Sequence, residues 1–147
     1  MGLTYIEGKV SDESGIERKV RFIVDSGVTY TLLPEPDWKE LKLTPKREAE
    51  FVFDDGRKTI RSVSECRMEL ESRDGHTPVI LGEPGDEALL GSLTLEIFGL
   101  SLDPFKRLIE PKKMRLSIET KNEGRSKYEA KIDQSGEFNR VMIEERR

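Results

Sequence analysis

Apolar and polar positions alternate through most of the first two thirds of the chain. In IEGKV, Ile6, Gly8 and Val10 alternate with Glu7 and Lys9, which predicts a half-exposed strand. IERKVRFIV alternates and then becomes wholly apolar at Phe22, Ile23 and Val24. That change predicts a strand that starts at the surface and ends covered on both faces, delivering Asp25 to a covered spot. EFVFDDGRKTI predicts a hairpin turning at Asp55 and Gly56 in a type I′ turn, whose two central residues both need positive φ. CRMEL places Cys66, Met68 and Leu70 on one face, SRDGHTP predicts a turn, and VIL predicts a short buried strand. GEPGDE is a loop of breakers, after which ALLG returns to the core. LSLDPFKRLI predicts strand, turn at Asp103 and Pro104, and strand.

Two short helices interrupt this pattern. LPEPDWKELKL carries Pro36 in a first turn, with Trp38 and Leu41 three apart on one face. SLTLEIFG has Ser92 as an N-cap and Gly99 as the residue that stops the helix. Beyond Pro111 the chain turns charged and poor in large apolar residues. The sequence therefore divides into a domain over 1–110 and a charged extension over 111–147. YEAKID and EFNRVMI alternate around QSG, so the extension is read either as a further hairpin or as a mobile tail.

Composition narrows the classes. The chain has 147 residues, 37% charged, with a net charge of −4. That is one ordinary domain, and the charge is of the wrong sign for a nucleic-acid binder that neutralises phosphates. No stretch approaches 18 apolar residues, so no membrane partner is expected. MGLTYIEGKV lacks a basic-then-apolar leader pattern. Cys66 is the only cysteine, which excludes an internal disulfide and fits a reducing compartment; the expected location is cytoplasmic.

The remaining question is why an acid follows an apolar strand. Taken alone, Asp25-Ser26-Gly27 is three turn formers, and its carboxylate would cap the turn. Its surroundings say more. After the turn comes VTYTLLP, then the DDGR hairpin tip, then ALLG opening a short helix. In order and spacing these motifs resemble the retropepsin-like aspartic proteases, most closely the cellular and prokaryotic type, over roughly residues 4–110.

The resemblance implies a mostly β fold closed into a small barrel, with a flap hairpin and two short helices. It implies peptide hydrolysis by two facing carboxylates that share one proton, one side accepting a proton while the other gives one. No metal and no organic cofactor are needed. This chain offers one matching aspartate. Asp54 and Asp55 sit at a turn, Asp86 in a breaker-rich loop and Asp103 before a proline. The expected site therefore lies on the two-fold axis of a homodimer, with Asp25 supplied by each copy and a peptide or protein as substrate. By resemblance, Ser26 hydrogen-bonds across to the partner's loop and Gly27 lets the substrate backbone approach. Val28 is bulkier than the alanine often found there. Leu89, Leu90 and Gly91 pack beneath the loop, with Leu90 also reckoned among the substrate-binding positions. Phe53, Asp54, Asp55, Gly56 and Arg57, through Lys58, form the flap, and its polar tip departs from the glycine-rich flaps of viral relatives.

Other residues have plainer readings. His76 is the only histidine and lacks Cys or His partners, so it is read as a surface turn residue. Cys66 is read as a buried inert thiol, and Trp38 as packing beneath the short helix. Ser26 is not read as a nucleophile, because the G-x-S-x-G elbow is missing. GEPGDEALLG lacks the Lys-Ser/Thr of a phosphate loop. Two rivals stand beside the protease: the same fold used as a dimerisation or peptide-binding module, and a small β-barrel with no site.

Overall fold

A computed structural model describes residues 3–116, together with the backbone of 128–132 and 138–142. The chain divides into two compact units, Met1–Lys113 and Met114–Arg147. In the second, β10 (Tyr128–Ile132) pairs antiparallel with β11 (Phe138–Met142). The turn expected at QSG lies outside the described residues.

The first unit is mostly β. It contains β1 (Thr4–Ser11), β2 (Glu17–Val24), β3 (Thr31–Leu33), α1 (Glu35–Glu40), β4 (Arg47–Val52), β5 (Lys58–Leu70), β6 (Arg73–Leu81), β7 (Leu89–Leu90), α2 (Ser92–Ile97), β8 (Leu100–Asp103) and β9 (Leu108–Pro111). Seven strands form one mixed sheet in the order β1-β2-β7-β3-β6-β5-β4, and β1 also pairs with β5 through Lys9–Ser11. β8 and β9 form a separate antiparallel pair. The alternation in the sequence is realised as burial: Ile6 and Val10 in β1, Val20, Phe22 and Val24 in β2, and Cys66, Met68 and Leu70 in β5 all face one core. Phe22, Leu33, Leu41, Met68 and Leu90 are its largest fully enclosed side chains.

Polar contacts tie the helices to this core. Pro36 lies in the first turn of α1, as its fixed φ favours. Leu41 is fully buried just past the helix, and Trp38 donates from Nε1 to the Gly82 carbonyl at 2.9 Å. Arg18 of β2 donates from Nε to Asp37 of α1 at 2.5 Å. Arg61 of β5 pairs with Glu83 and Asp86, both at 3.0 Å, so Asp86 anchors its loop to the sheet.

Two turns differ from the sequence expectation. At the β4–β5 tip, Gly56 N–H donates to Phe53 O and Phe53 N–H to Arg57 O, and only Gly56 has positive φ (+88°). This is a type I turn closed by a left-handed glycine, not a type I′ turn. The type I′ geometry occurs between β5 and β6, at Glu71 (φ 48°) and Ser72 (φ 66°), with Leu70 opposite Arg73. The Asp74-Gly75 pair that suggested a turn lies inside β6, and exposed His76 is a strand residue facing Arg67. The longer strand is held because Arg73 Nη1 donates to Phe98 O (2.8 Å) and Gly99 O (3.3 Å), satisfying carbonyls at the end of α2. Ser92 is the first residue of α2 rather than its cap; Gly91 occupies that place and no side chain caps the helix.

These features set two expectations. Neither Glu71 nor Ser72 is suited to the left-handed region, so Glu71→Asn combined with Ser72→Gly should stabilise the fold by about 1 kcal/mol in urea denaturation. A destabilised double variant would refute the turn geometry. Burial, with a smaller contribution from the charge of Glu65, pushes the Cys66 thiol up to about 12. The folded state thus holds this proton more tightly than the unfolded chain. The resulting stabilisation is complete below the ordinary thiol value of 9.0 and is lost as pH rises towards about 12. Iodoacetamide at pH 8 should leave the native thiol intact and alkylate it in denaturant; rapid native alkylation would contradict the burial.

Candidate active site

β7 has only two residues, yet it lies between β2 and β3. Ile23 and Val24 pair with Leu89 and Leu90 in parallel, while Leu32 pairs with Leu89 antiparallel on the other side. The chain leaving β2 at Val24 must therefore cross the end of β7 to reach β3 at Thr31. Residues 25–30 make that crossing. Asp25 N–H donates to Leu90 O at 3.1 Å, Val28 N–H closes a tight turn onto Asp25 O at 3.2 Å, and Gly27 N–H donates to Asp25 Oδ1 at 2.9 Å. The carboxylate is thus aimed by its own turn.

The loop rests on Gly91. A Cβ built there would lie 2.4 Å from Thr29 O and 2.6 Å from Tyr30 C, both backbone atoms, so no side chain fits. In return the loop caps α2: Ser92 N–H donates to Val28 O at 2.7 Å and Leu93 N–H to Thr29 O at 3.0 Å. These are helix N-terminal donors with no partner inside the helix.

Beneath the loop runs a chain of hydroxyls that the sequence reading did not anticipate. Gly91 N–H donates to Thr31 Oγ1 (3.1 Å), Thr31 meets Thr94 (2.6 Å), and Thr94 meets Thr77 (2.7 Å). Thr77 donates to Pro78 O (3.3 Å), which fixes the direction of the rest: Thr94 donates to Thr77, and Thr31 to Thr94. All three threonines are buried. Their one sequence signal is a threonine at an inward position of an otherwise apolar run, in TYTLL, HTPVIL and SLTLEI.

The expected site residues fall into two groups. Asp25, Ser26 and Gly27 are exposed and Val28 is half-buried, all in the one loop. Asp25 is therefore not in a covered spot within a single chain. The cover given by β7 stops at Leu90, and the acid lies just beyond it. Leu90 is fully buried against Val24 beneath the loop, so within the chain it is a support rather than a substrate contact; Leu89 is the half-buried neighbour. Phe53, Asp54, Asp55, Gly56 and Arg57 form an exposed tip, where Arg57 bonds Asp55 (Nε to Oδ2, 2.6 Å) and its guanidinium lies 4.9 Å from the Phe53 ring centre. Among the described residues no hydrogen bond joins this tip to the Asp25 loop. The two groups are joined instead at the hairpin base. There the rings of Tyr30 and Phe51 meet edge-on at 5.4 Å, and Arg47 donates from Nη2 to the Tyr30 hydroxyl at 2.5 Å.

Because the clash at Gly91 is with backbone, Gly91→Ala should cost about 1–3 kcal/mol in denaturant unfolding and displace the amide signals of residues 25–30. An alanine variant of unchanged stability and spectrum would show that the loop does not rest there.

A family model described as aspartyl protease matches residues 6–93. The solution structure of simian foamy virus (mac) protease is similar at 20% identity and a TM-score of 0.46, over 62% of this chain and 90% of that one. No curated protein matches the chain. The family match spans more than half of the chain and takes in the Asp25 turn, the β4–β5 hairpin and the Leu90–Gly91 support, so the chain belongs to the aspartyl protease family that this model describes.

Proposed function

We propose that the protein is a homodimeric aspartic endopeptidase in which Asp25 from each of two copies activates a water that attacks the peptide carbonyl. The observation that carries this reading is the Asp25 turn itself. One acid motif is held by backbone hydrogen bonds on Leu90 and Gly91, with its carboxylate directed by Gly27 and open to solvent. A single carboxylate cannot be at one moment the ionised base that takes a proton from water and the protonated acid that gives one. Two that meet across a two-fold axis can, since like charges so close keep one proton between them. An exposed half-site on the face of each copy is what such an axis requires.

In this reading Ser26 steadies the partner's loop, Gly27 admits the substrate backbone, and Val28 narrows the cleft. The hairpin from Phe53 to Lys58 closes over an extended peptide, offering strand-type hydrogen bonds. The return pairing of β1 with β5 supports a strand circuit closed into a small barrel. Residues 1–110 carry the activity and 111–147 form an extension, in a cytoplasmic protein whose lone thiol stays reduced. A second reading, a peptide-binding or dimerisation module without catalysis, is favoured by one observation. The polar groups of the hairpin tip are bonded to each other through Asp55 and Arg57.

Asp25→Asn should lower hydrolysis of an unfolded protein by at least about a hundredfold, with unchanged circular dichroism and sedimentation. Mixing wild type with an excess of the variant should silence the wild type by forming mixed dimers, and specific activity should fall on dilution. Undiminished cleavage by Asp25→Asn would remove the acid from the mechanism. Activity independent of concentration, from a sedimenting monomer, would remove the dimer. Cleavage blocked by a statine-type inhibitor would eliminate the binding-only reading.

A further inference from the structure

The loop carrying Asp25 and the hairpin expected to close on substrate share one side-chain joint, between Tyr30 and Arg47. Arg57 and Arg61, on the same hairpin as Arg47, each pair with a carboxylate. Arg47 does not. Its only side-chain bond among the described residues is to the neutral Tyr30 hydroxyl, with its guanidinium 5.8 Å from the tyrosine ring centre. A guanidinium carries five N–H donors in a planar fork suited to a carboxylate, and the phenol takes one of them. Arg47 is exposed, and Tyr30 is itself held by Phe51. Among the described residues the cation is thus oriented by Tyr30, exposed, and without a carboxylate partner.

Its position matters as much as its charge. Tyr30 is five residues from Asp25, which limits their separation to about 17 Å even for a fully extended chain. The tight turn at Asp25–Val28 shortens it further. An extended peptide advances about 3.4 Å per residue, so one running from the bond over Asp25 towards this joint would reach Tyr30 in about five residues or fewer.

We propose that Arg47, steadied by Tyr30, is a specificity-determining residue that selects peptides bearing a glutamate or aspartate a few residues from the cleaved bond. The proposal rests on the protease reading above and adds a substrate class to it.

The test uses the full-length protein and a set of neutral eight-residue peptides in which each position in turn carries Gln, Glu or Lys. Cleavage is measured with the wild type. Binding of fluorescently labelled peptides is measured by anisotropy with Asp25→Asn, which does not depend on turnover. At one position Glu should be preferred over Gln by about three- to tenfold, the preference shrinking as salt is raised. Arg47→Ala should bring that ratio to near one, and Arg47→Glu should transfer the preference to Lys at the same position. An unchanged ratio in Arg47→Ala overturns the proposal, as does the lack of a Glu preference at every position. A uniform loss on all peptides, with the ratio kept, would mean that Arg47 only anchors the hairpin, and also overturns it. If the wild type cleaves no peptide, the protease reading falls while the binding arm still decides the role of Arg47; binding of none of the peptides overturns both.

Discussion

A strand that ends on one side of a neighbour and resumes on the other must cross that neighbour's end, and every feature of this site depends on that crossing. β2 and β3 flank the two-residue β7, so residues 25–30 have to pass over the residue next after Leu90. That residue is Gly91, where backbone meets backbone at distances no Cβ would tolerate. From Asp25 to Thr29 the loop is fastened to its support by main-chain groups: Asp25 to Leu90, and Val28 and Thr29 to the first donors of α2. The place of Asp25 is thereby set by topology and backbone hydrogen bonds. The side chains at 26, 28 and 29 are left to serve other ends.

The same crossing explains why polar groups are tolerated in the core below it. A buried hydroxyl without a partner costs about 1–3 kcal/mol, so three of them could offset much of the stability of a domain this size. Here each is satisfied by the next, from the Gly91 N–H through Thr31, Thr94 and Thr77 to the Pro78 carbonyl. The chain links β3, α2 and β6, the elements that surround the loop's support. Its members are directional where apolar packing is not, so it fixes the angle at which α2 presents its first turn to the loop.

How much of this was legible varied with the range of the interaction. Alternation in IEGKV and CRMEL gave the inward faces of β1 and β5 correctly, because burial on one side is written locally at a period of two. The order of the Asp25 turn, the hairpin and ALLG gave the family. Glycine signals were less reliable. Asp55-Gly56 did mark a turn, but of another type, and Asp74-Gly75 marked none, because Arg73 is held in the strand by the end of α2, 25 residues away. The burial expected for Asp25 extrapolated an apolar run past the point where its cover stops. Leu90, reckoned both beneath the loop and among the substrate-binding positions, is fully buried within the single chain. The Tyr30–Arg47 joint and the threonine chain went unseen, since each depends on contacts between residues 17 to 63 positions apart.

That Asp25 stands in water on the single chain is physically consistent with how its loop is held. A buried, unpaired carboxylate would oppose folding by several kcal/mol, and the fold would then need that acid neutralised or partnered before it could close. Left exposed, with one backbone N–H to orient it, the carboxylate stays in contact with water. Desolvation is deferred to the step at which, in the proposed dimer, a second carboxylate arrives. Folding and site assembly are thus separate problems with separate solutions. The first is solved inside one chain, by Gly91 and the capped start of α2. The second is left to the surface that the crossing loop presents. A loop fixed through its side chains could not divide the work in this way, because the groups needed for the second task would already be committed to the first.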